Sequence, residues 1–199
     1  MTSTPNAPDR SPTALLLVDI INPFDFEGAG ALLEHARPAV RAITGLKKRA
    51  RAAGVPVIYA NDHFGRWRED FRAVVRRATA DGAPGRKLVE QIVPEEDDYF
   101  VLKPKHSAFY GTALDFLLGQ MGVRRLVVAG FASDICVLAT LVDARMREYR
   151  LVVPTDASAA ESKTAHGNAL SYARRVLDAE TPTAAELDFH RLVRTGDQG

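Results

Sequence analysis

Two hydrophobic rhythms alternate along the chain. Short, nearly continuous apolar runs occupy residues 14–19 (ALLLVD), 55–60 (VPVIYA), 99–103 (YFVLK), 124–129 (RRLVVA) and 151–153 (LVV). Between them, apolar residues recur every three or four positions. That second rhythm predicts helices over 33–53 (closing at Gly54), 69–80, 85–92, 112–121, 136–148 and 165–179, with a weaker apolar segment towards the C-terminus. Strands that are apolar throughout, rather than alternating, are buried on both faces. The predicted fold is therefore α/β, a three-layer α/β/α sandwich with a central, mostly parallel sheet of about six strands. No internal repeat, low-complexity tract or linker divides residues 13–195, so one domain is expected there. The polar, Pro-rich residues 1–12 predict a disordered N-terminal tail, and the closing TGDQG should fray.

Composition narrows the class. A chain of 199 residues with 46% hydrophobic and 26% charged residues has the make-up of a globular domain. Its 26 Lys and Arg nearly cancel 25 Asp and Glu, so neither a nucleic acid nor an anionic membrane is an expected partner. The basic clusters in 46–54 and 72–80 lie on helical patterns and read as solvated faces. There is no apolar leader segment and no run near the roughly 20 residues that span a bilayer, so the expected location is the cytoplasm. One cysteine excludes an intrachain disulfide and a thiol-rich metal cluster. It is either a small buried apolar residue or a nucleophile.

In open α/β sheets, ligands bind beyond the carboxyl ends of the strands. Asp19 closes the first predicted strand, Lys103 closes the third, and Cys136 lies just past the fourth, in GFASDICV. Each has a bland alternative: Asp19 as a turn cap, Lys103 as a side chain snorkelling to water, Cys136 as core. Their shared topological position favours chemistry. A free thiol is only slightly ionised at neutral pH, and a helix N-terminus with an adjacent ammonium would favour its thiolate, while a carboxylate takes the proton.

The stretches LLLVDIINPFDF, KPKHSAFYGT and GFASDICVLATLVDARMREYRLVVPTDASA resemble, in order and spacing, the signature blocks of the isochorismatase-like cysteine hydrolases. In the last block Gly130, Asp134, Cys136, Val137, Thr140, Asp143, Ala144 and Asp156 fit that pattern. The resemblance implies a Rossmann-like sheet, an Asp–Lys–Cys triad at Asp19, Lys103 and Cys136, and a non-proline cis peptide at Phe131–Ala132. It also implies an oxyanion hole from the N–H groups of Ala132 and Cys136. The implied reaction is hydrolysis of a non-peptide C–N bond in a small amide, ureide or carbamoyl compound through a Cys thioester. Asp19 takes the thiol proton, gives it to the leaving amine and then activates water. The substrate-lining candidates are Phe24, Phe64, Trp67, Tyr110, Phe131 and Ile135; Phe109 reads equally as core. Nicotinamidases of this group carry an Asp-x-His metal site after the second strand. Here Asp62 and His63 are adjacent, with no second histidine close behind, which argues for no metal and no cofactor, with His63 solvent-facing or structural. The group often forms dimers or tetramers, so a homo-oligomer is expected. Rival readings are an isochorismatase-type vinyl ether hydrolase and a non-catalytic binding protein or redox sensor. Dinucleotide binding is a weaker rival: Gly28 and Gly30 give G-x-G, but Leu33 occupies the third glycine position, and the pair reads as a flexible loop.

Overall fold

The computed structural model describes residues 7–195. The elements are β1 (Thr13–Val18), α1 (Ala29–Ala52), β2 (Val57–Asp62), α2 (Phe71–Ala78), α3 (Arg86–Val89), β3 (Tyr99–Lys103) and α4 (Leu114–Met121). They continue with β4 (Arg125–Phe131), α5 (Leu138–Met146), β5 (Arg150–Val152), β6 (Ser158–Ala159), α6 (Lys163–Val176) and α7 (Phe189–Thr195). The six strands form one sheet, ordered β3-β2-β1-β4-β5, with β6 paired to the last residues of β4. All pairings are parallel.

Burial on both faces explains the continuous apolar runs of β1 and β4, whereas β3, at the sheet edge, leaves Phe100 exposed. Every residue of β1 and β4 is buried. Leu15 and Leu17 pack with α1, α2, α3 and α7 on one side, while Ala14, Leu16 and Val18 pack with α4, α5 and α6 on the other. That is the expected three-layer sandwich. From β1 the strands run outward through β2 and β3 on one side and through β4 and β5 on the other. The β1/β4 junction is therefore the topological switch point, where such sheets open a crevice at their carboxyl ends.

Several boundaries differ from the periodicity, each for a local reason. The helix expected from Leu33 starts at Ala29, because Gly28 in a left-handed conformation (φ 82°) caps it. Gly30, read as part of a flexible loop, lies in its first turn. Strand β2 reaches Asp62 rather than Ala60, since the ladder continues through Asn61↔Leu102 and Asp62↔Lys103. The helix expected over 69–80 shortens to α2 because Asp70 accepts the Ala73 N–H and fixes its start. Only one turn, α3, forms within 85–92. The two-residue β6 is too short to leave a hydrophobic signature. Lys47, on a helix face read as solvated, is buried against Glu95 and Asp98.

Of the predicted tail, residues 1–6 lie outside the described residues, as do 196–199. Residues 7–12 correct the expectation. Asp9 N–H donates to the Tyr99 hydroxyl (3.0 Å), Ser11 N–H donates to Met121 O (3.0 Å), and Pro12 O accepts from Arg124 and Arg125. Polar composition suggested a free segment, yet its backbone finds partners on β3, at the end of α4 and at the start of β4. Among the described residues, no helix is long and apolar enough to cross a membrane.

Candidate active site

Three strand ends deliver the charged and nucleophilic groups. Asp19 follows β1 with φ 51°, a left-handed conformation that aspartate tolerates better than most residues. Its N–H donates to Ala60 O (2.9 Å), and its Oδ1 accepts the Asp62 N–H (2.7 Å), so two bonds to β2 fix the carboxylate. Lys103 ends β3 directly opposite Asp62. Its side chain is 0% exposed, which excludes snorkelling to water, and a lysine so placed must be paired. Nζ lies 2.7 Å from Asp19 Oδ2 and 3.9 Å from Asp62 Oδ2, and it donates to Lys105 O at 3.1 Å.

The nucleophile candidate arrives by a less regular route. At Gly130 (φ 136°) strand β4 passes the end of β1 so closely that a Cβ would sit 2.0 Å from Val18 O. Only glycine fits this approach, which brings the segment after β4 beside Asp19. The Phe131–Ala132 peptide is cis. A single π-helical turn, Ser133–Val137, follows and is closed by the Val137 N–H bond to Ala132 O (3.1 Å). Such turns are rare and concentrate at functional sites. Cys136 therefore precedes α5 within this turn, rather than opening the helix itself.

Two contacts hold the turn from outside. The Thr140 hydroxyl donates to Cys136 O (2.7 Å) and accepts the Ala108 N–H (3.0 Å), tying the nucleophile turn to the loop after β3. The His166 imidazole lies 3.0 Å from Ser133 Oγ and 2.9 Å from Thr155 O. Thr140 stood among the signature residues of the last block without a role; His166 had none there either. The Cys136 thiol interacts with both Asp19 and Lys103. It also lies 3.6 Å from Nδ1 of His106, on the loop after β3.

Electrostatics follow from this burial. Burial pushes the Asp19 carboxyl above its ordinary range, against the pull of Lys103 and of its hydrogen bonds. Burial works against the Lys103 charge as well, but the Asp19 carboxylate and neighbouring acidic groups outweigh it, and the ammonium is held above its usual value. The Cys136 thiol is pushed up to about 12, by burial first and by Asp19 second, with Lys103 pulling the other way. Lys103 thus helps the thiolate as expected, but burial and Asp19 oppose it more strongly. The thiol therefore needs a proton acceptor, and the Asp19 carboxyl, its own proton affinity raised by burial, lies beside it.

The aromatic candidates divide. Phe24 and Phe131 are buried and pack on each other with ring centroids 6.2 Å apart; they floor the region as core. Gly85 lies so close to Phe24 that a Cβ would meet its ring at 2.4 Å. Phe64, Trp67, Tyr110 and Ile135 are exposed, on segments following β2, β3 and β4. The Arg77 guanidinium lies over the Phe64 ring at 5.3 Å, and Phe109 is core, stacked on Tyr149. His63 is not solvent-facing. It is buried, packed at a tilt on Trp67 with ring centroids 4.3 Å apart, and neither ring nitrogen is hydrogen-bonded. Asp62 is engaged elsewhere, its Oδ1 accepting the Phe64 N–H at 2.5 Å. Among the described residues, no three His, Cys, Asp or Glu side chains gather as a metal site.

The family model described as the isochorismatase domain matches residues 13–185. The isochorismatase family protein YaaI of Bacillus subtilis is 39% identical over 89% of this chain and 97% of its own length. The ureidoacrylate amidohydrolase RutB of Methylorubrum extorquens is 31% identical over 77% of this chain and 72% of its own. The crystal structure of N-carbamoylsarcosine amidase from Thermoplasma acidophilum superposes with a TM-score of 0.68 at 29% identity, covering 88% of this chain and 98% of that one.

Proposed function

The chain belongs to the isochorismatase family, and on that premise we propose that it hydrolyses a non-peptide C–N bond in a small amide, ureide or carbamoyl compound. The observation that carries this reading is the buried Lys103 ammonium, 2.7 Å from Asp19, with the Cys136 thiol interacting with both. A base, a fixed positive charge and a nucleophile at one point are the parts that acyl transfer through a covalent intermediate requires.

In the proposed reaction Asp19 takes the thiol proton as Cys136 attacks the substrate carbonyl. A thiol near 12 is a poor nucleophile until that transfer occurs, so the carboxylate of raised proton affinity supplies the activation. Lys103 stays charged throughout and offsets the negative charge passing between sulfur and carboxylate. The N–H groups of Ala132 and Cys136, at the two ends of the turn after β4, hold the oxyanion; one such donor is typically worth about 10²–10³-fold in rate. Protonated Asp19 then gives its proton to the departing amine, leaving a thioester that water hydrolyses. Phe64, Trp67, Tyr110 and Ile135 form the exposed apolar surround for the substrate.

A redox sensor needs a thiolate at working pH, and a thiol held near 12 disfavours that role. Relatives whose names state amide chemistry, RutB and N-carbamoylsarcosine amidase, favour C–N cleavage over vinyl ether hydrolysis. The test is a panel of small amides, ureides, carbamoyl compounds and a vinyl ether, assayed with wild type beside Cys136→Ala and Asp19→Asn. Turnover of a C–N substrate that vanishes in both variants is expected. Turnover of the vinyl ether alone, or activity surviving Cys136→Ala, refutes the proposal.

A further inference from the structure

The proposed reaction leaves one group at the sulfur without a task. His106 Nδ1 lies 3.6 Å from Cys136 Sγ. Unlike Asp19 and Lys103, both buried, His106 is exposed on the loop after β3. Its loop is held to the nucleophile turn through Ala108 N–H, Thr140 Oγ and Cys136 O, so the contact rests on a hydrogen-bonded framework. The sulfur thus has two sides. One faces the buried Lys103–Asp19 pair, and the other meets an imidazole in contact with solvent.

The two halves of thioester chemistry need different things from these sides. Forming the thioester requires a proton to leave the thiol, and Asp19, on the buried side of the sulfur, takes it. Breaking the thioester requires a water to arrive and lose a proton while the acyl group is still attached to Cys136. Asp19 is then a carboxylate again, bonded to Lys103 and to the Asp62 N–H. Water approaching from solvent meets His106 first.

Resting on the cysteine hydrolase reading, we infer that His106 is the catalytic base of thioester hydrolysis, a role separate from that of Asp19. Neutral His106 accepts a proton from the attacking water as the new C–O bond forms. The tetrahedral species collapses, the C–S bond breaks, and the electron pair returns to sulfur. The imidazolium then passes its proton to that sulfur, which restores the thiol and the neutral imidazole. Hydroxyl from water leaves on the product acid, and no further reactant is needed. The expected division is that Asp19 governs acylation and His106 governs deacylation.

The test uses the full chain with p-nitrophenyl acetate, which acetylates a thiol directly and reports by nitrophenolate release. In His106→Gln, acylation of Cys136 persists, so a stoichiometric burst precedes slow turnover and the acetyl adduct accumulates in acid-quenched mass spectra. Deacylation should slow by roughly 10²–10⁴-fold, the usual worth of a positioned base. Acetylated His106→Ala, isolated and mixed with imidazole, should regain hydrolysis, a rescue that a purely structural histidine would not show. Acyl-enzyme hydrolysis at the wild-type rate in both variants overturns the inference, as does an equal slowing of both half-reactions. If neither wild type nor His106→Gln forms acetyl-Cys136 at any quench time, the cysteine hydrolase reading itself is overturned, and the inference with it.

Discussion

Replacing Asp19 by Asn tests the electrostatic arrangement independently of any substrate. The amide keeps the size of the side chain and an oxygen for the Asp62 N–H, but removes the charge 2.7 Å from Lys103 Nζ. At an effective dielectric near 20, that pair has a gross attraction of about 6 kcal/mol. Removing one partner of a buried pair strands the other, with a net cost of roughly 3–5 kcal/mol. Asp62, 3.9 Å from the ammonium, remains as a weaker partner and places the expectation towards the lower end. For a domain of this size each kcal/mol moves Tm by about 2–4 °C, so a fall of roughly 6–20 °C should appear in a thermal melt, with a matching shift in the urea midpoint. Adding Lys103→Met to Asp19→Asn should recover much of the loss, because the uncompensated charge goes with it. A single variant that loses less than about 1 kcal/mol, as an exposed pair would, refutes the reasoning.

The raised Lys103 value also sets a pH signature. Its stabilising contribution is complete below the ordinary 10.5 and is lost as pH rises through the higher folded value; urea midpoints measured at alkaline pH should fall in that window for wild type and stay flatter in Lys103→Met. Iodoacetamide should label Cys136 slowly at neutral pH, with the rate rising towards about 12, and a labelling midpoint below pH 8 would contradict a protonated resting sulfur. Gly130→Ala should lose roughly 2–6 kcal/mol in chemical denaturation, combining a strained φ with a Cβ driven into Val18 O. His166→Ala should cost about 1–3 kcal/mol by leaving Ser133 Oγ and Thr155 O without their imidazole partner, again read from urea midpoints.

The layered sheet was legible because burial on both faces writes an unbroken apolar run, and β1 and β4 show that signal in full. The strand ends were legible for the same reason: a charged residue terminating such a run stands out, as Asp19 and Lys103 do. The state of the site was harder to read. Whether Lys103 reaches water depends on packing contributed by several distant elements, and composition carries no record of it. His106 escaped because its meaning lies in a contact with a sulfur thirty residues away along the chain. Phe24, in the stretch that follows Asp19, read as a substrate-lining candidate, but its burial against Phe131 and Gly85 is a tertiary fact. The π turn that carries Cys136 follows helical periodicity closely enough to be taken for the start of α5.

The central claim is that Cys136 carries the acyl group of the substrate. Its most direct measurement is intact-mass and peptide mass spectrometry of enzyme quenched in acid during turnover of an amide found in the panel. The account predicts an adduct with the mass of the acyl fragment on the peptide containing Cys136, absent from Cys136→Ala and discharged by hydroxylamine. Sustained turnover with the Cys136 peptide unmodified at every quench time, and with Cys136→Ala still active, would contradict it.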